Sequence, residues 1–326
     1  MRALDLPTSL PHPRAIASWG GGLHNYDPEF WELEYQTHRY LSRVTGGDLE
    51  KRHASILRNM EVLGTADRDI IPIESFLSSW YWFRKEHQTR LEMVLRGTAV
   101  DVPIVRLRSP DRTSIPRPKW PNAGDVLFRY GQRKYLEPLL LRGELRIFRA
   151  SKQKERPGDE ARFDEEREKS SYMPGQYTRV STMDGRTIPV IGDIRRAVAG
   201  PDYYMLCMSC DWDETLVNSF SDVDACLIIT DVDTFMSRLE AAAGKKLPGW
   251  IFHHNPVEYF DPYELPDNTR LDSAMSKDFR FAYQREYRVL VFPLHGETTE
   301  KFVDLPPLGS LNGIAELRSS GSHVPV

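Results

Sequence analysis

The stretch Tyr283-Gln284-Arg285-Glu286-Tyr287-Arg288-Val289-Leu290-Val291-Phe292 governs how the C-terminal half of the chain is read. Aromatic and aliphatic residues cluster there, so a strand is predicted over Phe281–Phe292, with its best core at Tyr287–Phe292. A strand alternates faces with period two, which sends Gln284, Glu286 and Arg288 the same way. Leu290 and Phe292 continue that face as apolar positions. A carboxylate placed where an apolar strand leaves a core is partly desolvated and must be paired or have chemical work. Glu286 is therefore either the ion-pair partner of Arg285 or Arg288 at a sheet edge, or a functional acid.

Working back towards the N-terminus, short strands are predicted at Val126–Tyr130, Leu145–Phe148, Tyr203–Ser209 and Ala225–Thr230. A hairpin is expected between Tyr177–Met183 and Arg186–Ile191, because Asp184-Gly185 favours the positive φ angles of a type I′ turn. Helices are expected over Tyr135–Leu141 and Thr234–Ala243. Gly143 stops the first of these, and Pro138 places its regular start near Glu137. Residues 151–171 are so charged that a solvated helix or a mobile loop is expected. Strands with a few interleaved helices make this region α+β.

Residues 27–97 read as helical. Asp27 and Pro28 suit an N-cap and a first helical position, and a stripe runs on to Val44. Asp48 opens a second stripe that ends before Gly64. A third run from Ile73 to Leu95 has the clearest helical spacing in the chain. Within it, Trp80-Tyr81-Trp82-Phe83 reads as core packing or as an aromatic ligand box. Four prolines between residues 109 and 123 suit neither helix nor strand. The expected organisation is a helical region over 1–108, a Pro-rich linker over 109–124, an α+β domain over 125–318 and a tail over 319–326.

A length of 326 residues gives a prior of about two domains. With 40% hydrophobic and 28% charged residues, the composition is that of a globular protein and not of a disordered chain. No apolar run reaches the roughly 18 residues of a membrane span, and no apolar signal core stands at the N-terminus. Three cysteines do not make a disulfide framework, so a reducing, cytoplasmic setting is expected. The net charge, 43 − 47 = −4, excludes a grip on nucleic acid by overall charge. Residues 101–156 nevertheless carry 14 basic against 6 acidic side chains, 14 − 6 = +8. That stretch suits phosphates, a dinucleotide, an acidic partner or an ordinary basic face. There is no Walker loop, GxGxxG, HExxH or GxSxG, which disfavours the common ATPase, dinucleotide-fold, metalloprotease and hydrolase classes.

Further candidates follow from residue type and phase. Arg129 lies in Val126-Leu127-Phe128-Arg129-Tyr130, in phase with Leu127, and suits an anion or a buried carboxylate such as Glu286. Arg162 sits among acids, where a surface pair is the default. Ser209 ends a buried strand, where it either caps the chain or supports a ligand. Cys207 and Cys210 form a CxxC without a second ligand pair for zinc, and inside a strand rather than opening a redox helix.

The order of these features resembles DarT-type ADP-ribosyltransferases, bacterial toxins that attach ADP-ribose from NAD to DNA bases. It runs from Leu127-Phe128-Arg129-Tyr130, through a Leu-rich helix ending at Gly143, then Arg162, Tyr203–Ser209, and finally Arg285-Glu286-Tyr287-Arg288-Val289-Leu290-Val291. The family has a His on its first strand where this chain has Arg129. An early Arg, a middle Ser and a late Glu are similar to the Arg–Ser–Glu branch, and Gln284-Arg285-Glu286 resembles that branch's Gln-x-Glu element.

The resemblance implies a split β-sheet core and NAD as substrate, with no metal. It implies Glu286 and Gln284 as catalytic residues, and Arg129, Tyr130, Arg162 and Ser209 as NAD contacts, with Tyr130 or Tyr204 stacking on nicotinamide. The implied acceptor is a nucleic-acid base or a protein side chain. The implied setting is a toxin or phage-defence effector with an antitoxin or immunity partner and no membrane. Glu286→Gln is then expected to remove transfer while leaving fold and NAD affinity near normal. The rival reading is a nucleic-acid-binding module without catalysis, in which Glu286 pairs with Arg129. A third is hydrolysis of NAD by water alone.

Overall fold

Alternation along Tyr204–Ser209 (β7) sends Tyr204, Leu206 and Met208 into one core and Tyr203, Met205 and Cys207 towards another. This strand organises the larger part of the molecule. The computed structural model describes residues 28–63, 79–98, 125–155, 167–175, 180–212, 222–264, 271–294 and 300–319. The chain forms two compact units, and it passes between them more than once. One unit gathers residues 1–111, 171–196 and 261–267; the other gathers 112–170, 197–260 and 268–326. The 109–124 linker and the 319–326 tail, apart from Ser319, lie outside the described residues.

In the second unit, Glu286–Phe292 (β12) runs antiparallel along one side of β7, from Glu286 opposite Ser209 to Val291 opposite Tyr204. Two strands share the other side. Leu127–Gly131 (β1) meets β7 only at Phe128 opposite Ser209. Arg146–Arg149 (β2) meets it at Met205 and Tyr204. The sheet therefore forks at the middle of β7. One arm continues from β1 to Ala225–Ile229 (β8) and Ala315–Ser319 (β14). The other continues from β2 to Phe302–Asp304 (β13). Ile251–Pro256 (β9) lines the outer side of β12, completing an eight-stranded sheet.

Helix α4, Arg133–Arg142, joins the two arms, and α5, Val232–Lys246, follows β8. Leu136, Leu139, Phe235 and Leu239 from these helices pack with Leu127, Leu206, Leu227 and Val289 on one face of the sheet. The α+β expectation holds at that level: an antiparallel sheet with a few helices.

The first unit contains α1 (Pro28–His38), α2 (Gly46–Leu63) and α3 (Ser79–Leu95), with Tyr35, Leu41, Leu49 and Met93 buried among them. Trp82 is fully buried, as a core residue would be. No helix among the described residues is long and apolar enough to cross a membrane. Small ribbons complete the fold. Glu168–Met173 (β3) pairs with Ile194–Ala199 (β6), and Val180–Ser181 (β4) with Thr187–Ile188 (β5). Glu258–Phe260 (β10) runs parallel to Ser276–Asp278 (β11).

Several boundaries differ from the periodicity. The first helix stops at His38 and not at Val44, because Arg39 takes a φ of 35° and turns the chain. Helix α4 starts at Arg133 and accommodates Pro138 inside it. The hairpin turn is not type I′. Thr182 and Arg186 close a three-residue loop, and only Gly185 within it has positive φ, at 84°. The strand expected over Phe281–Phe292 begins at Glu286: residues Phe279–Gln284 coil into a 3₁₀ turn that Asp278 caps, and Arg285 leaves it at φ 43°. The charged segment yields a 3₁₀ turn at Ala150–Glu155 and then β3.

Gly143 ends α4 at φ 71°, and a Cβ there would lie 2.5 Å from the Gly309 carbonyl oxygen. Gly143→Ala combines a disfavoured backbone with a backbone clash. It is expected to destabilise the second unit by about 2 kcal/mol. A urea midpoint equal to wild type would remove this account of the turn.

Candidate active site

Glu286 opens β12 and is only 5% exposed. One carboxylate oxygen, Oε1, accepts from Arg288 Nε at 2.6 Å, as period-two spacing on one strand face allows. The other, Oε2, accepts from Lys277 Nζ at 2.5 Å. The same ammonium donates to Gln284 Oε1 at 2.9 Å. Arg288 is fully buried and also donates from Nη1 to the Ala274 carbonyl at 2.5 Å. The backbone N–H of Glu286 donates to the Tyr259 hydroxyl at 2.8 Å. Burial by itself raises the Glu286 pKa, but Arg288 and Lys277 outweigh it and hold the carboxyl well below the ordinary range. Burial, with Glu286 nearby, pushes the Tyr259 phenol up.

Ser209 faces Glu286 across the ladder. Its hydroxyl proton is shared between the Gln284 carbonyl at 2.8 Å and the Asp211 carbonyl at 3.0 Å, and its oxygen accepts from the Asp211 N–H at 3.1 Å. Ser209 thus ties the end of β7 to the turn before β12. The Tyr130 hydroxyl donates to the same Asp211 carbonyl at 3.1 Å. Phe128 pairs with Ser209, so Phe128 and Tyr130 share the face of Ser209 and Glu286. Four of the six sequence candidates, Glu286, Gln284, Ser209 and Tyr130, are therefore brought together.

Arg129 is not among them. Its register partner is Leu227, and Leu127 and Leu227 both lie in the core on the opposite face. Its Nη1 donates to the Cys207 carbonyl at 2.9 Å, at the point of β7 that neither β1 nor β2 pairs with. The expected ion pair with Glu286 is corrected by this register: Lys277 and Arg288 hold the acid instead. Tyr204 also lies on the far face, stacked on Trp250 at 5.5 Å. Arg162 lies outside the described residues.

Glu286 is not at a sheet edge either, since β12 has β7 on one side and β9 on the other. Because two buried cations bond to it, Glu286→Gln is expected to disturb the fold, where the sequence alone led to the expectation of a near-normal one.

In the described part of the basic stretch, four arginines have acidic partners. Arg133, Arg142, Arg146 and Arg149 face Glu137, Glu144, Asp304 and Asp202 respectively. In the CxxC, Cys210 belongs to the core opposite Cys207, and burial pushes its thiol up to about 12. A redox thiolate needs the reverse shift.

Lys277 and Tyr259 escaped the sequence reading. Each sits on a three-residue strand, and the two are paired in the parallel β10–β11 ribbon. The only signal was a lone lysine between Met275 and Phe279. Compared with known proteins, the chain matches no family model, no curated protein and no solved structure.

Proposed function

We propose that the second unit transfers ADP-ribose from NAD to an acceptor, with Glu286 serving the nicotinamide ribose. One observation carries the reading: an ionised, immobilised carboxylate at the start of β12, with the Gln284 amide on the same ammonium and Ser209 opposite. In the reaction the bond between ribose C1′ and nicotinamide breaks, and its electron pair leaves with nicotinamide. Positive charge develops on the ribose. The acceptor atom then bonds C1′ and releases its proton. A fixed negative charge beside the ribose is electrostatic preorganisation, worth roughly 3 kcal/mol by analogy with a single oxyanion donor. A carboxylate has about four acceptor positions, so bonds from Lys277 and Arg288 leave capacity for a ribose hydroxyl. Tyr130, on the same face, offers a ring for nicotinamide. DNA, RNA and protein all stand as acceptors, and an antitoxin-like partner belongs to the same proposal.

One observation favours the non-catalytic half of the second reading, in which the chain is a nucleic-acid-binding module without catalysis. Both oxygens of Glu286 are bonded to buried cations, as in a purely structural ion pair. Incubation of the full chain with labelled NAD plus DNA, RNA or cell extract separates the two. Transfer is expected to place label on one acceptor with stoichiometric release of nicotinamide. Free ADP-ribose alone would mean hydrolysis by water. Salt-sensitive nucleic-acid binding with NAD untouched would overturn the enzymatic reading.

A further inference from the structure

We propose that Lys277 is a positioning residue of this site: a single ammonium on both Gln284 and Glu286 fixes the amide and the carboxylate in one mutual geometry. The inference rests on the transfer reading for its catalytic consequence, but its geometric content stands apart from it.

Lys277 is 3% exposed, and its Nζ lies 2.5 Å from Glu286 Oε2 and 2.9 Å from Gln284 Oε1. An ammonium has donors and no acceptor, so the amide atom facing it must be the oxygen. The amide nitrogen is thereby turned away, towards the Tyr283 hydroxyl at 3.2 Å. Arg288 holds the other carboxylate oxygen, which stops Glu286 rotating about the Lys277 contact. Lys277 reaches this point because β11 pairs with β10, where its register partner Tyr259 takes the Glu286 backbone N–H. One parallel ribbon therefore aligns both the backbone and the side chain of the acid. The Phe281 ring, 5.0 Å from Nζ, walls the ammonium in.

The test uses the full chain and the variants Lys277→Met and Lys277→Arg. Nicotinamide release is followed against NAD concentration, and the Gln284 side-chain amide is followed by heteronuclear NMR, assigned by its loss in Gln284→Met. Lys277→Met is expected to lower kcat on the order of 100-fold, the scale of a misplaced reacting group. KM is expected to change by no more than about threefold, since the loss falls on the transition state. The Gln284 amide signal is expected to move. Lys277→Arg, which restores a cationic donor, is expected to recover most of kcat and to return the signal towards its wild-type position.

A folded Lys277→Met with wild-type kcat, or with an unmoved Gln284 amide, would overturn the proposal. If Lys277→Met fails to fold, Lys277→Gln replaces it with the same expectations. If the wild-type chain releases no nicotinamide, the transfer reading has failed. The amide signal alone then judges Lys277: movement sustains the positioning role and constancy overturns it.

Discussion

If the proposed transfer holds, Glu286→Gln is expected to abolish it, and in any case to lower the unfolding free energy of the second unit by about 3–5 kcal/mol. The two effects have one origin. The carboxylate is the shared partner of Lys277 and Arg288, both almost without exposure to water. Replacing it by a neutral amide takes from two buried cations the carboxylate that both bond to, which is far costlier than losing a surface pair. Loss of activity in this variant is therefore no proof of a catalytic role on its own. Glu286→Asp separates the causes: it keeps the charge but withdraws it from the ribose by a methylene, so stability is expected to hold better than transfer. Urea unfolding and nicotinamide release measure the two quantities. A Glu286→Gln chain within about 1 kcal/mol of wild type would show that the cations do not depend on the acid. Undiminished transfer would remove Glu286 from the chemistry.

Asp261→Asn is expected to be of similar size in the first unit, about 3–5 kcal/mol. Asp261 accepts both ends of the Arg52 guanidinium, at 2.9 and 2.7 Å, and the Lys85 ammonium at 2.6 Å. Lys85 and Arg84 also reach Glu264, and Arg84 pairs with Glu34 at 2.8 Å. Arg52 and Lys85 are as buried as apolar core residues.

Burial raises the Asp261 pKa, but Arg52 and Lys85 bring it well below the ordinary range. Arg84 and Lys85 likewise overcome burial at Glu264 and pull it down to about 2. Depressed carboxylates stabilise the folded state fully above their unfolded pKa, near 4. That stability drains as pH falls through the folded values, because the unfolded chain then binds more protons. Unfolding free energy is accordingly expected to be level above about pH 5 and to fall steeply from there towards about pH 2. A flat profile between pH 5 and pH 3 would contradict the network, as would an Asp261→Asn chain as stable as wild type.

Which of these features could be read in advance depends on how local they are. The strand at β12, the stop at Gly143 and the alternation of β7 are written in neighbouring residues, so periodicity finds them. Arg129 shows the limit. Its phase with Leu127 was visible, but the face that Leu127 occupies depends on how β1 registers against β7, and no local signal carries a register. Lys277 and Asp261 lie on segments too short for any period. Their roles exist only through partners elsewhere in the chain: Glu286 for the first, Arg52 and Lys85 for the second. The 3₁₀ turn before Glu286 was missed for another reason. Phe279 and Phe281 suit a strand equally well, and the Asp278 cap with a left-handed Arg285 settles the matter.

The long reach of Asp261 bears on how the protein is made. Arg52 and its acid are 209 residues apart, and Lys85 and that acid are 176 apart. At the usual pace of synthesis the Arg52 guanidinium waits about 10–40 s for its counter-ion to be translated. Chains normally mature from the N-terminal end as they emerge from the ribosome. Here α1–α3 cannot close dry around Arg52 and Lys85 until residues 261–264 have been synthesised, long after the helices themselves. A nascent chain halted before codon 261 is expected to be open to proteases over those helices, whereas one released just beyond codon 264 carries both Asp261 and Glu264.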